Sequence, residues 1–455
     1  MTRRLIHALV GLMSAAGGLA AAEPRKPNVI VILIDDTGYA DIGAYGGKDI
    51  PTPNIDSLAR NGVRFTNGYV SCPYCSPTRA GLMTGRYQTR FGHEFNEGGA
   101  DRDKFGLPLT ETTFAQRMKA LGYATAAIGK WHLGFNPEFR PTARGFDEFY
   151  GTLANTPFYR PMLLDSRVGP DPKKVEADGF YTTDAYGDRA AEIIKSNAAR
   201  PFFLYLPFNA NHVPSQAPEE YLKRFPEITA KDRLLYAGMM SALDDAVGRV
   251  LTALRESKLE EDTLIFFLSD NGGPMTKMGP NGSNNKPLKG QKGDTWEGAI
   301  RVPWMVQWKG HLPAGKVYDH PVISLDILPT AVAAAGGQAE ADWKLDGVNL
   351  LPYLGGEKAE APHADLFWRF GPQWAVREGD WKLVRGYDYA AQTAQPAVTA
   401  VQVTPPMLFN LRDDAGETQD LAAANPDKVK RLQDAWDAWN GEQKDPLWVP
   451  RPTSK

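Results

Sequence analysis

Six consecutive apolar residues, Val29-Ile30-Val31-Ile32-Leu33-Ile34, run without a polar break, and Thr263-Leu264-Ile265-Phe266-Phe267-Leu268 nearly repeats the pattern. A strand with one face in water alternates apolar and polar side chains, so a run without alternation belongs to a strand covered on both faces. Such strands sit at the centre of parallel sheets sandwiched by helices. Helical segments lie between them. One spans 54–62, with Asn54 as its cap and Gly62 as its stop; a second runs from about Thr112 to Leu121 and ends at Gly122; a long one covers about Asp232 to Ser257. Further strands are expected at Ala124 to Ile128 and Phe202 to Leu206. The alternation predicts an α/β fold, a large and mostly parallel sheet flanked by helices.

The pattern changes near residue 355. Beyond Gly355-Gly356 the apolar segments are short, aromatic and bounded by turns, at 366–368, 373–377, 381–384 and 408–409, and a helix from about Pro426 to Trp439 follows. Residues 23–358 are therefore expected to form the main domain and 359–455 a small antiparallel subdomain. Seven of the 11 tryptophans lie at or after Trp343; burial habits assign most of them to core packing rather than sugar stacking. At the other end, Arg3 and Arg4, the apolar stretch Leu5 to Leu19 and Ala20-Ala21-Ala22 have the order of a cleaved export signal over residues 1–22, with a faint twin-arginine character. Its removal takes two positive charges from a chain whose formal charge is -3. No later segment is apolar enough for membrane insertion, and this near-neutral balance gives no field for a nucleic acid.

Both fully apolar strands end in oxygen donors: Asp35-Asp36 after the first, Asp270-Asn271 after the second. In open parallel sheets ligands bind beyond the carboxyl ends of the strands, so the two pairs are expected to converge. Three carboxylates and an amide oxygen are hard ligands, suited to Ca²⁺ or Mg²⁺ rather than Zn²⁺. Turn formation by Asp and Asn would explain one such pair; two at strand ends favour a metal. The chain has only two cysteines, Cys72 and Cys75. A Cys-x-x-Cys redox pair is the simplest interpretation of their spacing, and it predicts a disulfide. Pro77 and Arg79 follow Cys75 at intervals that a redox pair does not need.

Cys75-Ser76-Pro77-Thr78-Arg79, followed by Gly81 and Gly85-Arg86, resembles the signature of the type I, formylglycine-dependent sulfatases. Asp35-Asp36-Thr37-Gly38-Tyr39, 50–56, Gly129-Lys130-Trp131-His132-Leu133-Gly134, Asp270-Asn271-Gly272-Gly273 and Lys292-Gly293-Asp294-Thr295-Trp296-Glu297-Gly298 resemble further motifs of that family, in the same order. The resemblance covers most of residues 28–350 and implies an alkaline-phosphatase-like fold. It implies that a maturation enzyme oxidises Cys75 to formylglycine, whose hydrate attacks sulfur to give a sulfated enzyme. It implies one Ca²⁺ on Asp35, Asp36, Asp270 and Asn271, in contact with the group derived from Cys75. Arg79 would orient the hydrate, Lys130 and Lys292 would bind sulfate oxygens, and Asp270 would take the nucleophile's proton. His212, with Lys292, would protonate the leaving alcohol, and His132 would take the second hydroxyl's proton as sulfate departs. Taken singly, each of these histidines also fits a structural hydrogen-bonding role. Thr78 stands where many members have Ser, and Ala299 where Gly is frequent. His93, just past the signature, is a candidate for substrate selection.

The implied enzyme is an exported sulfuric ester hydrolase whose substrate is a sulfated sugar or polysaccharide, with segments 153–181 and 273–291 lining the pocket. A phosphatase or phosphonate monoester hydrolase of the same fold is the chemical alternative. With seven His in all, one hard cation is favoured over a two-zinc centre. A non-catalytic glycan-binding relative is the alternative from another class; every expected catalytic residue is present against it.

Overall fold

The computed structural model describes residues 25–97, 102–275, 280–391 and 401–449. The segment with export-signal character, 1–22, lies outside the described residues, as do parts of 273–291 and 359–455; no described helix is long and apolar enough to cross a membrane.

A ten-stranded sheet runs in the order Lys316–Tyr318, Val63–Phe65, Trp304–Gln307, Thr263–Ser269, Asn28–Ile34, Phe202–Pro207, Ala124–Lys130, Glu148–Thr152, Met162–Asp165, Lys173–Lys174. The five strands from Thr263–Ser269 to Glu148–Thr152 are parallel, and Trp304–Gln307 and Met162–Asp165 run antiparallel to their inner neighbours. The two unbroken apolar runs are adjacent central strands. Val29, Val31, Leu33 and Phe266 pack into one hydrophobic cluster, and Ile30, Ile32, Ile34, Ile265 and Phe267 into another on the opposite face. Helices Cys75–Thr84, Phe114–Ala120 and Ile327–Ala334 contribute to the first, and Thr182–Ser196 and Lys231–Glu256 to the second.

Two helix starts differ from the sequence expectation. Helix Pro53–Arg60 does not use Asn54 as its cap; Asp244, on the long helix, accepts from the Asn54 and Ile55 amides at 3.2 and 2.9 Å, so a tertiary contact replaces the local one. Helix Phe114–Ala120 is capped by Thr113, whose hydroxyl accepts from the Gln116 amide at 3.2 Å while Gln116 accepts in return from the Thr113 amide.

The four C-terminal strands, Asp365–Phe370, Gln373–Glu378, Trp381–Arg385 and Met407–Asn410, form one antiparallel sheet against helix Pro426–Gly441. Trp368, Trp374, Trp436, Trp439 and Trp448 are buried, in keeping with core packing. The cluster of the first four also takes in Tyr69, Trp296, Ala299 and Ile300 from the main unit, so the Ala299 methyl fills a core position rather than the site.

Candidate active site

Register brings the two acidic pairs together. Ile34 pairs with Ser269, so Asp35 and Asp270 are the next residues out of adjacent strands. Asp36 sits in the left-handed region at φ 54°, its amide 3.3 Å from Asp270 Oδ1. Asp35, Asp36, Asp270 and Asn271 are all buried.

Helix Cys75–Thr84 starts at Cys75; Pro77 is accommodated because first-turn amides need no intrahelical acceptor. Cys75 Sγ lies 3.8 Å from Asp35 Oδ1, and burial, against Lys130 and Lys292, pushes its thiol up to about 12. As a thiol it is a poor nucleophile at neutral pH. Cys72 and Cys75 are both free, and Cys72 packs with Phe95, Phe370 and Trp448, so the structure has no redox disulfide. The Thr78 hydroxyl donates to the Cys72 carbonyl at 2.6 Å.

One turn into the helix, Arg79 is fully buried and makes four hydrogen bonds. It donates to Asp270 Oδ2 through Nε and Nη2 at 3.1 and 2.7 Å, to Asp35 Oδ2 at 3.2 Å, and to the Lys130 carbonyl at 2.8 Å. Lys130, the last residue of its strand, pairs with Asp35, and Lys292 lies 2.7 Å from Asp36 Oδ1. Burial opposes the charge of Lys292, but Asp36, Cys75, Asp35 and Tyr74 together outweigh it and raise the ammonium well above its ordinary value. Burial likewise works to raise Asp35, yet Lys130, His212, Arg79 and Lys292 together hold it far below the usual carboxylate range. Asp270 moves the other way, up to about 6, through burial and the neighbouring Asp35 charge.

His212 Nε2 is 3.5 Å from Asp36 Oδ2, and its Nδ1 is 2.6 Å from the Val213 carbonyl. Ligand atoms of Asp35, Asp36, Cys75 and His212 all lie within 4.8 Å of one another. The Asn271 amide donates to Asp36 Oδ1 at 2.7 Å, while its buried Oδ1 has no hydrogen-bond partner among the described residues. An orphan amide oxygen beside three buried carboxylates fits a hard cation that would take it as a ligand. Three carboxylates against Arg79, Lys130 and Lys292 leave the cluster close to neutral, so a divalent ion there would present net positive charge to an anion.

His132 is buried at φ 57°, its Nδ1 without a partner and its Nε2 4.0 Å from Glu97 Oε2. His93 is enclosed as well. It shares a 2.6 Å hydrogen bond with Ser76 Oγ and meets the Trp448 ring edge-on at 4.7 Å, which seats it behind the Cys75 helix. The sequence reading did not single out Glu97, Asn155 or Asn281. Asn155 Nδ2 lies 3.2 Å from His212 Nε2, and Asn281 donates to the Asp36 and Asn211 carbonyls at 3.0 and 2.9 Å. All three sit in irregular segments with no periodic or motif signal.

The fold and this centre define a hydrolase of anionic esters working at the carboxyl edge of a parallel sheet. The Sulfatase family model matches residues 27–337. The chain is 32% identical to the N-acetylgalactosamine-6-sulfatase of Canis lupus familiaris, over 93% of this chain and 87% of that one. It is 35% identical to the arylsulfatase A of Bos taurus, over 90% and 85%. Among solved structures, Ps i-CgsB in complex with k-i-k-neocarrahexaose is 35% identical with a TM-score of 0.84, covering 94% of this chain and 96% of that one. The chain belongs to the sulfatase family, the hydrolases of sulfuric esters.

Proposed function

We propose that the protein is an exported sulfatase acting on sulfated carbohydrate, with Cys75 matured to formylglycine and one Ca²⁺ held by Asp35, Asp36, Asp270 and Asn271. The observation that carries this reading is the convergence around Cys75 of three buried carboxylates, an orphan amide oxygen and three cations. The carbohydrate class is supported by the two similar proteins whose names carry a sugar: an N-acetylgalactosamine-6-sulfatase and an enzyme solved with a neocarrahexaose.

Bound Ca²⁺ would supply positive charge to the ester's anionic oxygens. Formylglycine would supply a hydroxyl nucleophile that can release sulfate again, which a plain Ser or Cys cannot do. The remaining work falls to the chain. Lys130 and Lys292 bind sulfate oxygens and stabilise the charge that builds on them. Arg79, locked between Asp35, Asp270 and the Lys130 carbonyl, fixes Asp270 to accept a proton from the attacking hydroxyl. His212 Nε2, once protonated, gives its proton to the departing alcohol, and its Nδ1 is held by the Val213 carbonyl. His132 takes the second proton. Segments 153–181 and 273–291 shape the pocket for the sugar.

The test is the mass of the Cys75 peptide from protein co-expressed with a formylglycine-generating enzyme, followed by sulfate release from a panel of sulfated sugars. Replacement of the thiol by an aldehyde, with sulfate released, is the expected result. An unmodified Cys75 or a Cys72–Cys75 disulfide would overturn the nucleophile. Rapid turnover of aryl sulfates alone would overturn the carbohydrate assignment.

A further inference from the structure

Glu97 is a buried carboxylate that the reaction scheme above leaves unused. Its side chain is wholly enclosed, and among the described residues neither carboxylate oxygen has a hydrogen-bond partner within 3.5 Å. A buried, unsatisfied carboxylate costs several kcal/mol unless something nearby uses it. Its neighbours identify that use. Oε2 faces His132 Nε2 at 4.0 Å and Oε1 faces His93 Nε2 at 3.8 Å. His93 is already held by Ser76 Oγ, and burial lowers it to about 3, so it stays neutral and is no counter-ion. His132 is different: its Nε2 points at the carboxylate and its Nδ1 is free.

We propose that Glu97 is the positioning residue for His132: it takes the Nε2–H of the ring and so leaves Nδ1 as the free base. This rests on the sulfatase reading only for the reaction served. Carboxylate–imidazole pairing of this kind fixes the tautomer and stabilises the imidazolium when the ring gains a proton. Stabilisation is needed here because burial, Lys130 and Arg79 all hold His132 well below its ordinary value. The 4.0 Å separation is that of a resting pair, and such contacts tighten when charge develops. The pair holds two protons below the Glu97 titration and one above it. With Glu97 ionised the proton sits on His132 Nε2 and Nδ1 is basic; with Glu97 protonated the carboxyl donates to Nε2 and the ring proton sits on Nδ1. Burial pushes Glu97 up to about 8, with Ser76 and Lys130 opposing, so the base-competent arrangement grows as pH rises through that value. Among the described residues, the titratable and charged groups around Glu97 are His93, His132 and Lys130.

The first readout needs neither maturation nor turnover. In full-length protein with Cys75 unmodified and ring nitrogens ¹⁵N-labelled, the His132 signals should move from the Nδ1–H to the Nε2–H tautomer with a midpoint near pH 8, and this step should vanish in Glu97→Gln. A pH-independent His132 tautomer in the wild type, or an unchanged step in Glu97→Gln, would overturn the proposal. If Glu97→Gln does not fold, the wild-type titration alone decides. In matured enzyme, Glu97→Gln should lower kcat for an aryl sulfate about 10- to 100-fold with KM nearly unchanged and remove the alkaline rise of kcat, while Glu97→Asp recovers part of the rate. Equal loss in Glu97→Asp and Glu97→Gln, with the pH profile intact, would mark a purely structural residue. Wild-type enzyme inert on sulfate esters would sink the sulfatase reading and leave the tautomer result standing.

Discussion

Asn271 shows most plainly what a single residue can report. Its amide nitrogen is committed to Asp36 and the Gly272 carbonyl, at 2.7 and 2.9 Å, and its oxygen to nothing. Leaving a buried acceptor unsatisfied costs about 1–3 kcal/mol, a cost that a bound cation would remove. Calcium should therefore raise the melting temperature of the wild-type protein, by about 2.7 kcal/mol of stabilisation when the ion stands at a hundred times its Kd. Asn271→Ala should lose most of that shift while still folding. Equal calcium-dependent shifts in thermal melts of both proteins would show that Asn271 is not a ligand. This residue was legible in the sequence because it follows an apolar strand and a second carboxylate. Glu97 and Asn155 were not: each lies in an irregular segment, and only the folded chain carries them to His132 and His212.

Strands fix where such residues stand, and the strand Ala124–Lys130 does so through its penultimate glycine. Gly129 adopts φ 127°, and a Cβ there would sit 1.9 Å from the Pro207 carbonyl oxygen of the neighbouring strand. On the other side, a Cβ on Gly151 would meet the Gly129 carbonyl oxygen at the same distance. Two glycines side by side let three strands close up where Lys130 turns toward Asp35. Gly129→Ala combines backbone strain of about 1–3 kcal/mol with a backbone clash, so it should destabilise by at least about 2 kcal/mol in urea unfolding and cut sulfatase activity more than that alone implies. A loss below about 1 kcal/mol would mean the strands separate there freely. The parallel sheet and its principal helices could be read from apolar runs and Gly stops, because burial on both faces leaves a periodic trace. The true start of the Cys75 helix left none: Ser76, Pro77 and Thr78 are poor helix formers held in place by complete burial.

At the scale of the whole molecule, the small C-terminal sheet is joined to the site by a buried charge cluster. Lys382, on strand Trp381–Arg385, lies 3.0 Å from Glu297 and 2.8 Å from Glu417, and all three side chains are fully enclosed. Glu297 opens the short helix just after Lys292-Gly293-Asp294, and it also accepts from Tyr69 at 2.6 Å. Nearby, Gln373 donates to the Gly293 carbonyl at 2.9 Å, and Phe370 stacks on Tyr74 beside Cys75, so the small sheet braces the segments that carry Lys292 and Cys75. Burial raises Glu417, whereas Glu297 is held low because Lys382, Arg301 and Arg377 outweigh its burial. Lys382→Met keeps the volume but removes the cation these two carboxylates share. Breaking a buried pair in this way costs about 3–5 kcal/mol. With the lysine gone, Glu417, already raised by burial, binds its proton more tightly still than in the unfolded chain, so stability must fall as pH rises above the unfolded Glu value. Urea midpoints of Lys382→Met should therefore approach wild type near pH 5 and separate from it by pH 8. A deficit independent of pH would show that Lys382 acts through packing alone, and full stability at pH 8 would show that the two sheets are held together without it.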